Sequence, residues 1–101
     1  MKWKEIKEKY PKSYNKSQPV SNGRWFRYLY DFFDENEIYV EVGVYSEYNN
    51  KGEMEFIWAI NELIVGCINE LANGDSVIHK IRTEAETAAF TKAFEILEGK
   101  L

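Results

Sequence analysis

The chain predicts an α+β fold: a three-stranded antiparallel sheet with two main helices packed on one face (α-β-β-β-α), plus a short N-terminal helix. Three observations carry this expectation. Residues 83–101 hold a helix start, an apolar stripe and a stop in one stretch. Residues 38–47 alternate apolar and polar side chains with a period of two, as a half-buried strand does. Between them in kind, Trp25, Phe26, Leu29, Phe32 and Phe33 recur at helical spacing just before that strand.

Residues 2–10 read as a short amphipathic helix, with Trp3, Ile6 and Tyr10 on one side and lysines around them. Pro11 ends it or opens another turn. Ser13 to Gly23 is polar, includes Pro19 and reads as a loop. Ser21 or Asn22 then caps the first main helix, which runs to about Glu35, and Asn36 takes the left-handed conformation that stops it.

In the first strand Ile38, Val40, Val42 and Val44 point one way, and Tyr39, Glu41, Gly43, Tyr45 and Glu47 the other. Asn49 to Gly52 reads as a turn. In the second strand Met54, Phe56, Trp58 and Ile60 face inward, and Glu53, Glu55, Ile57 and Ala59 outward. Both inward sets are even-numbered, so pairing them requires an odd loop count or a bulge, for which Gly52 is suited. Residues 61–72 fit a helical period as well as an extended one; the β-branched run around Gly66 favours a strand. A tight turn at Asn61-Glu62 would set Leu63 opposite Ile60 and Val65 opposite Trp58. Asn69 to Ser76 reads as a loop, and Val77 to Ile81 as an extended lead into the last helix.

That helix opens with a capping box, Thr83 and Glu86, each bonding the other's backbone N–H. Phe90, Phe94, Leu97 and Leu101 line one face, and Ala85, Ala89 and Ala93 beside them let a sheet approach closely. The expected core is Leu29, Phe32, Phe33, Val40, Val42, Phe56, Trp58, Phe90, Phe94 and Leu97.

At 101 residues with 45% hydrophobic content, the chain suits one domain with one core: a basic arm over residues 1–20 and the α-β-β-β-α body over residues 21–101. No apolar run reaches the ~18 residues of a membrane span, and the charged N-terminus lacks the apolar segment of a signal peptide. A lone Cys67 forms no internal disulfide and suits a cytoplasmic setting. The net charge of −4 is unevenly spread: residues 1–27 carry eight basic groups against two acids, and residues 28–101 five against fifteen. The arm docks on its own acidic body, or Lys2, Lys4, Lys9 and Lys12 contact an anionic partner, or the basic groups form a solvated face with no role.

Catalytic constellations are absent from the sequence. Cys67 with His79 is the only possible thiol–imidazole pair, and nothing around Cys67 activates it. Cys67 reads as a small core residue and His79 as a strand-surface one. One Cys and one His make no structural zinc site, the acids lack calcium-loop spacing, and no phosphate or dinucleotide loop occurs. No enzyme and no cofactor is expected. The outer sheet face is more informative: Gly43, Ile57, Ala59, Ile64 and Gly66 form a low apolar centre, flanked by Tyr39 and Tyr45 and rimmed by Glu41, Glu47, Glu53 and Glu55. Such a face calls for a cover. The expected cover is the N-terminal helix, with Trp3, Ile6 and Tyr10 on the apolar centre and lysines on the glutamates; the alternative is a protein partner or a second copy, seated on Tyr39, Glu41, Tyr45 and Ile57.

The ending Thr83-Glu84-Ala85-Glu86-Thr87-Ala88-Ala89-Phe90 through Leu101 resembles the tail of small uncharacterised proteins from phages and mobile elements of gut bacteria. Tyr28 to Asp34 before a strand, and Trp3 to Pro11, resemble the same group. The resemblance implies an accessory protein without assigned activity, and supplies no functional residues. The order of elements is also similar to that of double-stranded RNA-binding domains, which grip phosphates with basic residues at the start of the last helix. Here Lys80 and Arg82 stand beside Glu84 and Glu86, which repel phosphates, so nucleic acid is an unfavoured partner. The expected function is a non-catalytic protein-binding module of phage or mobile-element type; the alternative is nucleic-acid binding through the basic arm.

Overall fold

The structure, a computed structural model, describes residues 3–17, 25–46, 52–64, 67–74 and 78–101, apart from the side chains of residues 25, 26, 45, 46 and 64. In chain order the elements are α1 (Trp3–Lys9), α2 (Pro11–Ser17), α3 (Trp25–Glu35), β1 (Tyr39–Ser46), β2 (Glu55–Ile64), β3 (Cys67–Asn73) and α4 (Arg82–Lys100). The strands form one antiparallel sheet in the order β1-β2-β3. The α+β arrangement expected from the sequence is thus the one found.

The two layers follow from the alternation in the strands and the stripes on the helices. Ile38, Val40 and Ile60 enter one buried cluster with Leu29, Phe32 and Phe33 of α3 and Phe90, Phe94 and Leu97 of α4. Phe33 and Phe94 meet edge-on with ring centroids 5.0 Å apart, while Phe33 and Phe90 stack at 5.9 Å. Such aromatic pairs add ~0.5–1.5 kcal/mol to what area burial supplies. Ala85, Ala89 and Ala93 are fully buried, in keeping with a close approach of α4 to the sheet. Phe56 is buried too, whereas Val42 and Trp58 of the expected core are only partly so.

The register pairs Val40 with Ile60 and Val42 with Trp58, so the even-numbered residues of both strands share the helix-side face. The irregularity this demands lies between Val44 and Ser46 rather than at Gly52. A second shift between Ile60 and Asn61 leaves Leu71 as the extra residue of β3.

Several local expectations are corrected, each by a contact between distant parts of the chain. No turn occurs at Asn61-Glu62, because β2 continues to Ile64 and pairs Asn61 with both Tyr39 and Glu70. The connection is residues 65 and 66, outside the described set, and the expected loop from Asn69 is strand β3 as far as Asn73. Cys67 is exposed, not core, because it pairs with Ile64 at the hairpin end. Lys100 in the last turn of α4 bonds Glu62 at 2.9 Å, two residues short of the Ile64–Cys67 pair.

The helix ends differ as well. Residues 11–17 of the expected arm and loop form α2, with Pro11 as its first residue. At the other end of the chain α4 starts at Arg82 after an extended Ile81, with no side-chain cap. Glu86 is instead buried and accepts the Tyr30 hydroxyl at 3.0 Å, so a tertiary bond replaces the capping box. In α3 the left-handed residue is Glu37, at φ 61°, rather than Asn36. Ile38 N–H bonds Phe33 O at 2.9 Å and Glu37 N–H bonds Asp34 O at 3.0 Å, a Schellman motif. Asn36 adds a side-chain bond to Phe32 O at 2.8 Å.

Candidate binding face

The N-terminal helix does not cover the outer sheet face. Ile6, 3% exposed, sits in the core cluster, and the Trp3 ring meets Phe94 edge-on at 5.9 Å. Its stripe therefore seals the helical layer, and α2 follows it there. Glu98 of α4 holds α2 in place: its carboxylate accepts Lys12 N–H at 3.2 Å and Ser13 N–H at 2.9 Å. Ser13 Oγ donates to Phe94 O at 3.0 Å and lies 3.1 Å from the same carboxylate. Burial pushes the Glu98 carboxyl up, but the bonds from Ser13 and Lys12 outweigh it and hold the group below the usual carboxylate range.

With the helices all on one side, the register defines what the other side presents. Tyr39, Glu41 and Gly43 of β1 stand opposite Asn61, Ala59 and Ile57 of β2, and Leu63 pairs with Ile68 of β3. Leu63 is 49% and Ile68 75% exposed, both large apolar side chains offered to water. Two shallow hollows lie along this face. One, of about 400 Å³, is floored at Gly43 and lined by Glu41, Ile57 and Ala59 with the intervening strand residues. The other, of about 230 Å³, is lined by Tyr39, Glu41, Asn61, Leu63 and Ile68 with the intervening Glu62. Glu41 belongs to both.

The charge on the sheet has one sign. Its strands contain Glu41, Glu55, Glu62 and Glu70 and no Lys, Arg or His. Glu62 turns to the helical side, where Lys100 bonds it and lowers its pKa. The outward carboxylates are Glu41, Glu55 and Glu70, and none of these has an ion-pair partner among the described residues; Glu70 accepts Asn73 Nδ2 at 2.7 Å. By contrast α1 and α2 carry Lys4, Lys7, Lys9, Lys12 and Lys16 against Glu5 and Glu8.

Of the residues expected at a partner surface, Tyr39, Glu41 and Ile57 are brought together on this face. Tyr45 lies in β1, but its side chain is outside the described set. The lysines expected to contact anions divide likewise: Lys4, Lys9 and Lys12 are exposed on the helical layer, away from the sheet glutamates, and Lys2 lies outside the described residues. Sequence reasoning missed Leu63 and Ile68 because it placed the hairpin turn too early. Cys67 and His79 are not brought together. His79 bridges Phe56 through reciprocal backbone bonds of 2.7 and 3.0 Å, whereas Cys67 pairs with Ile64 eight residues further along β2. At ~3.3 Å per residue they lie at opposite ends of that strand. His79 Nε2 is buried without a hydrogen-bond partner among the described residues.

A second polar contact lies within the helical layer. Burial, and then the Glu86 carboxylate beside it, raises the Tyr30 hydroxyl pKa, with Arg82 acting weakly the other way. This phenol is a hydrogen-bond donor at ordinary pH, and its ring packs edge-on to Phe90 at 4.8 Å. Among the described residues no three His, Cys, Asp or Glu side chains gather as a metal site, and no helix is long and apolar enough to cross a membrane. Comparison with protein-family models, curated proteins and solved structures finds no match for the chain.

Proposed function

We propose that the protein is a non-catalytic protein-binding module and that the outer face of its sheet receives the partner. The observation that carries this reading is the pair of apolar hollows around Glu41, on a face that no described helix covers. Burying the exposed parts of Leu63, Ile68 and Ile57 gains about 25 cal/mol per Å² of apolar surface, and solvent leaves that gain uncollected. The resemblance of the last helix to small phage and mobile-element proteins fits an accessory role of this kind in a bacterial cytoplasm.

Affinity capture from cell extract, run in parallel with the wild-type chain and Ile57→Asp, tests the reading. A protein retained by the wild type and lost from the folded variant is expected. Equal retention by both chains would place binding elsewhere and refute it.

A further inference from the structure

We infer that the segment seated on the outer face is a cationic amphipathic helix, with apolar anchors two turns apart and a Lys or Arg between them. This inference rests on the protein-binding reading and adds the chemistry of the partner. Its basis is the spacing of the two hollows and the position of Glu41.

The first hollow centres on Ile57 and Ala59, the second on Asn61 and Leu63, four residues further along β2. At about 3.3 Å per residue their centres lie ~13 Å apart. A helix rising 1.5 Å per residue spans ~10–12 Å between positions i and i+7 or i+8, which lie on one face. Two apolar side chains at that interval reach both hollows when the helix runs along β2. The position between them, i+3 or i+4, then faces Glu41, the residue common to both. Glu55 and Glu70 flank the same track, so cations along the helix edges meet carboxylates. The helix would form a third layer, mirroring α3 and α4 on the opposite face.

Charge decides against the other occupants. Two copies packed face to face would oppose Glu41, Glu55 and Glu70 with their equivalents, with no strand cation to intervene. The α1–α2 surface of a second copy offers lysines, but its Ile6 is already buried in its own core. Nucleic acids and anionic membranes carry the same sign as the face.

The test uses ~18-residue peptides, long enough to form helix on binding. One has leucines two turns apart with lysines between and beside them, one the same leucines with glutamates in place of the lysines, and one the lysine sequence interrupted by proline. The expected result is saturable binding of the Leu/Lys peptide, with amide shifts mapping to Glu41, Gly43, Ile57 and Leu63 and with induced helicity. Glu41→Lys should weaken it by about tenfold or more, as should replacing lysine by glutamate in the peptide. Equal binding of the Leu/Glu or proline-interrupted peptide overturns the inference. So do shifts confined to the edge of β3, which signify strand addition, and an Ile57-dependent dimer in sedimentation, which signifies a second copy. Absence of peptide binding beside an intact Ile57-dependent capture from extract overturns the helix and leaves the protein-binding reading; loss of both overturns the two together.

Discussion

Ser13 and Glu98, 85 positions apart, meet through the Ser13 backbone N–H at 2.9 Å, so a carboxylate in the last turns of α4 caps the first turn of α2. The donors at a helix start carry partial positive charge, and an anion placed there is stabilised. A seven-residue helix has little stability alone, which makes this contact decisive for α2.

Glu98→Gln should therefore loosen α2 more than any other element, seen as faster hydrogen exchange at Tyr14 to Ser17 with the sheet amides unchanged. The pH dependence has a definite sign. The Glu98 carboxyl lies below its unfolded value, as does Glu62, which Lys100 bonds. Their stabilisation is complete above the ordinary carboxylate pKa of about 4.3 and is lost as pH falls through the lowered values. The wild-type melting temperature should fall on acidification below about pH 4, and Glu98→Gln should fall less steeply. Parallel curves would refute the assignment.

Phe94→Ala removes the ring that Trp3, Phe32 and Phe33 all contact. A loss of about 3–5 kcal/mol is expected by chemical denaturation, as for other large aromatic truncations in cores. A loss below about 1 kcal/mol would mean that the helical layer is not packed on this residue.

Gly74 is buried and its N–H bonds Trp58 O at 2.9 Å, and a Cβ there would overlap the Trp58 indole. Gly74→Ala should cost about 1–3 kcal/mol, the usual range for overpacking, and should shift the Trp58 fluorescence. An unchanged stability would show that the indole moves aside freely.

Glu37 is exposed and holds the left-handed conformation at φ 61°. That conformation costs a non-glycine residue ~1–2 kcal/mol, from which glycine's greater unfolded freedom subtracts ~0.5–1. Glu37→Gly should stabilise the chain by about 0.5–1 kcal/mol in denaturant titration. A destabilised variant would contradict the Schellman geometry.

How far the fold is legible in the sequence depends on the range of the forces involved. The aromatic stripe of α3, the alternation of β1 and the apolar face of α4 are periodic within one segment, so their identity can be read without partners. The start of α2 cannot, because its cap is Glu98. The Thr83–Glu86 capping box is a sound local reading that loses to Tyr30, a partner on another helix. The Asn61-Glu62 turn fails similarly: pairing with Tyr39 on one side and Glu70 on the other extends β2 through two residues that locally suit a bend. At the candidate site, Tyr39, Glu41 and Ile57 follow from alternation alone. Leu63 and Ile68 need the true hairpin position, and the bareness of the face needs to know where Ile6 goes.

The segregation of lysines on α1 and α2 from glutamates on the strands acts across a body only 20 Å thick. The strands carry carboxylates alone while the charges of the four helices balance, which gives the molecule an electric moment, with a field that reaches a Debye length, about 8 Å, into physiological solution. A cationic visitor is rotated towards the pleated side before any side chains touch, so encounter is quick in dilute buffer and slows as salt is added.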